Sequence, residues 1–430
     1  MRKSILLLNG ILIATKILAV DLGSSFSVEE AWQTDADEFV QKYRASGFRF
    51  VSERKDCAFS LKGPWDKTFY GVKIEEARAY FEAGHLSRLE FSLWNKGDSE
   101  AIDYAAQLRI VQEVSSALSQ EEKMPKTVSF DPSQGYTQRS QSWDKKLPIT
   151  TLNWAMKKLG GGKFEPEYVK VVMSLKKEAR SATDKPQAKS AKSIKENVVK
   201  SDNGDVYISN VPMVDQGRKG YCAAAVAERV LRYYALTVDE HEIAQIAGTS
   251  ADEGTALDRM EQSVEKIGGR FGLGKITDID FPKSVKGILK ELDEYNKAAK
   301  RLNRPIIPPQ ECYQGRVLMV PMITERQESE VLKAARIKDG SRYKKFQRLI
   351  KQNVDAGVPM FWGVILGLYP ESGSTPQSRG GHMRLIIGYN ESTKEILFSD
   401  SWGIGHELKR VKADDAWAMT TSLFHLKTRK

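Results

Sequence analysis

The chain has 430 residues, enough for two or three domains, and its 41% hydrophobic content is that of a folded protein and not of a disordered one. Its net charge of +10 favours acidic partners, yet 66 basic residues are interspersed with 56 acidic ones. With no zinc-finger spacing and no aromatic-basic RNA motif, specific nucleic-acid binding is not expected.

The first twenty residues, MRKSILLLNGILIATKILAV, place Arg2 and Lys3 before an apolar run from Ile5 to Thr15, with small residues at Ala14 and Ala19. This is the order of a secretory signal peptide over 1–20, and it predicts an exported protein, periplasmic or extracellular. The run is too short to span a bilayer, and no other candidate span follows.

Residues 26–175 predict a mixed α/β domain. Helical spacing over 28–46 sets Ala31, Phe39, Val40 and Tyr43 on one side, strand-like patches follow around a turn at Gly84, and a helical period returns over 103–119. The segment holds no catalytic constellation, so a recognition module and an inhibitory pro-region both fit it. Its single histidine, His85, lies beside the turn and reads as solvated.

From Lys176 to Lys200 there are eight Lys/Arg against three Asp/Glu and few large apolar residues. Such a stretch buries too little surface to fold alone, so 176–205 is expected to be a basic flexible linker. Few contacts should then cross it. Residues 206–430 are expected to fold, and to act, without the N-terminal domain.

Beyond it, helices are predicted over 222–236, 240–248, 258–272 and 284–303. The last has Val285, Ile288, Leu289, Leu292 and Tyr295 as its apolar stripe. Strands are predicted over 315–323, 359–369, 382–389 and 395–400. Helices first and strands later is an α+β order.

The cysteines are Cys57, Cys222 and Cys312. An odd count in an exported chain allows a pair and a free thiol, and a Cys57–Cys312 pair would leave Cys222 free. Cys222 falls where a Gly-rich charged loop gives way to the Ala-rich helix. At a helix N-terminus the dipole and unpaired N–H groups stabilise a thiolate, the nucleophilic form.

A nucleophile needs a base. The stretch GGHMRLIIGYNESTKEILFSDSWG, 380–403, predicts a hairpin. Centring it on Glu391 sets His382 opposite Asp400, within roughly 5.5 Å between Cβ atoms. A carboxylate there can hold the imidazole and fix its tautomer. Asn390, the competing orienter, lies eight residues along the strand, roughly 26 Å away. Gln216, six residues before Cys222, can turn its amide N–H towards the site. With the Cys222 backbone N–H it would form an oxyanion hole. His241 at a charged helix start, His406 after the DSWGIG turn and His425 near the end read as structural or solvated. No Cys/His cluster has metal-site spacing.

Together QGRKGYC, a later GH that opens a strand and DSWG after the next strand resemble the papain-like cysteine peptidases. That family has glutamine six residues before the cysteine, then histidine, then asparagine or aspartate often followed by Ser-Trp-Gly. Gln216, Cys222, His382 and Asp400 match those positions in order, and Trp402 matches the tryptophan that shields the His–Asx bond. Over 206–430 the resemblance implies a helical part carrying the cysteine and an antiparallel sheet carrying the histidine and aspartate. It also implies a peptide or protein substrate and chemistry without metal or cofactor. Aspartate at 400 and the GHMRLIIGYN strand are most similar to the bacteriocin-processing, double-glycine branch. Those peptidases are often fused to a transporter, and this chain shows neither a membrane span nor a nucleotide-binding loop. Papain itself has asparagine at the position of Asp400, so Asp400→Asn is expected to keep much of the activity. Two alternatives remain: acyl transfer to an amine by the same residues, and an inactive papain-like fold that only binds.

Overall fold

The structure, a computed structural model, describes residues 20–61, 67–96, 100–120, 123–133, 136–144, 147–175, 190–216, 221–236, 243, 257–270, 272–369 and 379–428. The expected export segment up to residue 19, residues 176–189 of the basic stretch, and the helix expected over 240–248 apart from Ile243 lie outside the described residues.

In the N-terminal part, an eight-stranded sheet runs in the order Arg49–Phe50, Cys57–Ser60, Glu76–Glu82, His85–Asn95, Phe164–Ser174, Ile149–Lys158, Tyr136–Trp143 and Val128–Ser133. Neighbouring strands are antiparallel throughout. The helix Tyr104–Leu118 is started by Asp103, whose carboxylate accepts the Ala106 N–H. It buries Val111 and Val114 in the core. The single helix expected over 28–46 is instead a 3-10 turn, Glu29–Gln33, and a helix, Ala36–Lys42. Asp35 causes the break: its side chain caps Glu38 N–H and so begins a new helix.

The C-terminal part is α+β. Its main sheet runs Val198–Lys200, Asp205–Ile208, Gly380–Asn390, Met360–Leu366, Thr420–Thr428 and Leu273–Asp280, with Glu395–Ser399 and Lys409–Lys412 added beside Gly380–Asn390. Gly380–Asn390 is therefore central. From His382 to Asn390 every residue is buried, as befits a strand covered on both faces. The helix Cys222–Tyr233 packs on it with small side chains, Ala223, Ala224 and Ala227, which let helix and strand come close.

Two expectations are corrected here. Residues 190–205 are not linker. Ala191–Lys195 is a helix whose Ile194 is buried, and Val198–Lys200 pairs with Asp205–Ile208, which joins the central strand through Asp205 and Asn390. Val198, Val199 and Val206 supply the β-branched residues that a strand pair favours. The strand expected over 315–323 is only Val317–Leu318, followed by the helix Val320–Arg326. Pro321 sits in that helix's first turn, where its fixed φ and missing N–H are tolerated. The helices Ser329–Ile337 and Gly340–Asp355 were not anticipated.

The two parts are packed together, against the expectation of few crossing contacts. Met213 joins Val51, Cys57 and Phe59 in one apolar cluster. Beside it Arg78 meets Glu228 at 3.5 Å, both buried.

Candidate active site

Cys222 is the first residue of its helix, Cys222–Tyr233, and the N-cap residue Tyr221 does not cap that end with its side chain. Its first-turn N–H groups are thus left for the thiolate or for a substrate oxygen. Cys222 is half-buried at the edge of the C-terminal core.

His382 and Asp400 meet: the His382 Nε2 and Asp400 Oδ1 are 2.7 Å apart, and both residues are buried. The register differs from the predicted one. Leu385 pairs with Ser399 and Asn390 with Glu395, so the turn is the four residues 391–394, and the register shifts between Ile386 and Gly388. Continued to residue 400, this ladder sets Arg384 opposite Asp400, with His382 one pleat further on. The slip is an even number of residues, so His382 keeps its face of the strand and reaches Asp400 diagonally. With Nε2 on Asp400, Nδ1 is the ring nitrogen left to face Cys222, and His382 is the neighbour that lowers the Cys222 thiol.

Gln216 is buried next to the same loop. Its backbone N–H donates to the Ser401 carbonyl at 2.9 Å, and Asp215 forms a β-bridge with Trp402. Residues 217–220, which lead to Tyr221, lie outside the described residues. Gly403 closes the turn at φ +78°, and a Cβ there would stand 2.9 Å from Asp215 Oδ2, so this turn takes glycine. Trp402 stacks on the imidazole, ring centres 4.8 Å apart. It covers the His382–Asp400 bond from water, which strengthens that bond.

Two arginines that sequence reasoning missed complete the surroundings. Arg384 donates its Nε–H to Asp400 Oδ2 at 2.7 Å. The His-x-Arg spacing was a usable signal, since alternate strand residues share a face. Arg229, two turns along the helix from Cys222, donates to the Pro212 carbonyl and to the hydroxyls of Ser399 and Ser401. One buried guanidinium so ties the Cys222 helix to the Gln216 loop and to the Asp400 loop. No sequence pattern points to it.

The electrostatics follow from these contacts. Burial pushes the Cys222 thiol up, but the hydrogen bond and charge of His382, with the Met383 backbone N–H, bring it below its usual value. Burial pulls His382 down, but the charge and hydrogen bond of Asp400, and then Cys222, raise it to about 9. Burial would raise Asp400, yet His382, Arg384 and the Ser401 N–H hold it at about 2. All three shifts favour a thiolate–imidazolium pair beside a carboxylate.

The remaining cysteines contrast with Cys222. Cys57 and Cys312 are free and buried, one in the cluster at the domain boundary and the other in the C-terminal core, so the disulfide between them is not formed. Burial pushes the Cys57 thiol up to about 12. Of the other histidines, His85 is exposed, His425 holds Asp278 at 2.7 Å, and His241 is outside the described residues. His406 does more than line a rim: its carbonyl accepts the Asp400 N–H and its ring abuts Trp402 edge-on. Among the described residues no group of three or more His, Cys, Asp or Glu is placed to hold a metal ion.

Residues 310–423 match the model of the Peptidase_C39 like family. The C-terminal part is similar to that family. The matched stretch holds His382 and Asp400, while Gln216 and Cys222 lie upstream of it. No curated protein sequence matches the chain. The crystal structure of xylellain, a cysteine protease from Xylella fastidiosa, shares 13% identity, covering 59% of this chain and 94% of that one at a TM-score of 0.28. No helix among the described residues is long and apolar enough to cross a membrane.

Proposed function

We propose that the chain is a cysteine peptidase of papain-like fold that hydrolyses peptide bonds through Cys222, His382 and Asp400, with Gln216 in the oxyanion hole. The observation that carries this reading is the arrangement itself: a thiol at a helix start whose acidity is raised by a neighbouring imidazole, and that imidazole's Nε2 2.7 Å from a buried carboxylate. The match of 310–423 to a peptidase family supports the same chemistry.

In this reading the Cys222 thiolate attacks the carbonyl carbon of the scissile bond and a C–S bond forms. The electron pair moves to oxygen, which is held by the Cys222 N–H and the Gln216 amide. The imidazolium of His382 gives its proton to the leaving nitrogen, and the C–N bond breaks. His382 then takes a proton from water, whose oxygen attacks the thioester; the C–S bond breaks and the acid product leaves. Asp400 stays ionised throughout and holds the ring in its tautomer. Export is part of the proposal and rests on residues 1–20 alone; the N-terminal sequence of the mature protein checks it.

The test of the site is alkylation of Cys222 at mildly acidic pH, followed by hydrolysis of a peptide library. The wild type should be alkylated there, where an ordinary thiol barely reacts. Cys222→Ala and His382→Ala should each abolish turnover, and the double variant should lose little more, because the two act as a unit. A wild type whose thiols react only at alkaline pH, and which cleaves nothing, would leave a binding fold. Capture of product by an added amine in preference to water would make it an acyl transferase.

A further inference from the structure

Both oxygens of Asp400 are in use. Oδ1 faces His382 Nε2 at 2.7 Å and accepts the Ser401 N–H at 2.8 Å, and Oδ2 accepts the Arg384 Nε–H at 2.7 Å. Asp400 and Arg384 are both fully buried. The guanidinium is held in turn between rings, 4.7 Å from the Phe398 centre and 5.7 Å from that of Trp402, the ring that covers His382. Papain itself has asparagine at this position, but here an amide cannot replace the carboxylate. With its carbonyl towards His382 and Ser401, its NH2 would point at the Arg384 N–H. Flipped, the NH2 would face the Ser401 N–H and the histidine nitrogen that must carry the proton. Either way a buried donor meets a donor, and one partner is left unsatisfied.

We propose that Arg384 is a positioning residue of this active site: it fixes the plane of the Asp400 carboxylate through Oδ2 and makes aspartate, not asparagine, obligatory at position 400. The proposal rests on the peptidase reading above. It reverses the expectation, drawn from the resemblance to papain, that Asp400→Asn keeps much of the activity. It also predicts a pH effect. The charged groups facing Asp400 are His382 and Arg384 from its partner strand, Cys222 and Arg229 from the helix, and His406 from the following loop. Arg384 is the cation that shares the carboxylate with the imidazolium. Without it the ring gains the whole carboxylate and loses a like-charged neighbour, so it keeps its proton to higher pH.

The experiment uses the full chain in five forms: wild type, Asp400→Asn, Arg384→Met, Arg384→Lys and the double variant Asp400→Asn/Arg384→Met. The readouts are kcat and KM on a peptide the wild type cleaves, their pH profiles, and the rate of Cys222 alkylation by iodoacetamide at mildly acidic pH. Circular dichroism checks folding. Asp400→Asn should lose about a hundredfold in kcat with little change in KM, from one unsatisfied buried charged donor. Adding Arg384→Met should recover at least about tenfold of that loss, because the donor that faced the amide is gone. Arg384→Met alone should move the alkaline limb of the kcat profile to higher pH, and Arg384→Lys should bring it back. Alkylation should fall in Asp400→Asn and recover in the double variant. Asp400→Asn with near wild-type kcat and alkylation, or a double variant no better than Asp400→Asn, would overturn the proposal. Should Arg384→Met not fold, Arg384→Lys carries the test, since in it the alkaline limb must stay near that of the wild type while Asp400→Asn falls. Alkylation is read whether or not a peptide is cleaved. A wild type that neither cleaves nor alkylates at acidic pH refutes the peptidase reading, whereas a reactive wild type with an indifferent Asp400→Asn refutes only the role of Arg384.

Discussion

The two halves of the site are held in different ways. His382 lies on the central strand of the C-terminal sheet, and Asp400 directly follows the neighbouring strand Glu395–Ser399. The strand that carries His382 is paired on both sides, Val364 opposite His382 and Ser399 opposite Leu385, and Arg384 sits within the same sheet. Gln216 and Cys222 belong to a loop and a helix start, where a single β-bridge, Asp215 with Trp402, and the Gln216 N–H bond to the Ser401 carbonyl stand in place of a ladder. That half leans on the N-terminal domain. Arg49 stands 3.8 Å from Asp215, Arg54 donates to the Val211 carbonyl, Asn95 meets the Tyr221 hydroxyl, and Arg78 meets Glu228. Asp215 and Tyr221 are the direct chain neighbours of Gln216 and Cys222. A base held by backbone pairing can be self-sufficient; a nucleophile held by side chains from another domain cannot.

The sharpest way to break this comparison is to remove the N-terminal domain. A chain beginning at residue 190 keeps every strand that holds the base. It loses the N-terminal-domain contacts of Asp215, Met213, Tyr221 and Glu228. Turnover should fall by ten- to hundredfold, the order expected for a nucleophile misplaced by about 1 Å. The circular dichroism of the sheet should persist, and alkylation of Cys222 should slow. A fragment as active as the full chain would show that both halves stand alone, as the sequence suggested.

How much of this was legible beforehand depends on the range of each interaction. Cys222 at a helix start, and His382 and Asp400 on one hairpin, follow from local periodicity. The register did not. Counting from Glu391 assumed a tight symmetric turn, whereas Asn390 accepts the Thr393 N–H, Lys394 takes a positive φ of 54°, and the ladder shifts at Ile387. The slip of two residues left His382 on its face and hid Arg384. The basic stretch misled through composition: Lys192, Lys195 and Lys200 are exposed, but Ile194, Val198 and Val199 among them are enough for a buried turn and an edge strand. Domain docking was the least legible. Val51, Phe59 and Met213 are ordinary core residues in sequence, and only the fold shows that they share one cluster.

A smaller effect isolates one contact of the nucleophile half. Arg78→Met leaves Glu228, itself buried, beside Arg232 at 3.5 Å in the same helix. Methionine keeps most of the volume, so the loss is that of a charged hydrogen bond inside the protein, about 2 kcal/mol. Urea unfolding of the full chain reads it as a lowered midpoint. Activity of the folded variant should fall less than on removing the whole domain, because Asn95, Arg49 and Arg54 stay in place. A variant of unchanged stability would show that Arg78 adds nothing to what the other neighbours of Glu228 already supply.

The mildest test addresses the base half through pH. His382 is raised to about 9, above the roughly 6.5 of an unfolded histidine, so its contribution to stability is complete below roughly 6.5 and is lost as pH rises through about 9. Asp400 is depressed to about 2, below the roughly 3.9 of an unfolded aspartate, so its contribution is complete above roughly 3.9 and is lost as pH falls through about 2. The window in which both act fully therefore runs from roughly 4 to 6.5. As pH rises towards 9 the wild type should lose stability that a His382→Gln variant does not lose, since glutamine has no proton to give up. Urea unfolding of both proteins over this range of pH makes the comparison. The rate should follow the same proton: above pH 9 the imidazolium that protonates the leaving nitrogen is gone, and kcat should decline. If the variant shows the same alkaline loss of stability as the wild type, the charge that matters lies outside the sheet, and the base half is not the self-sufficient one.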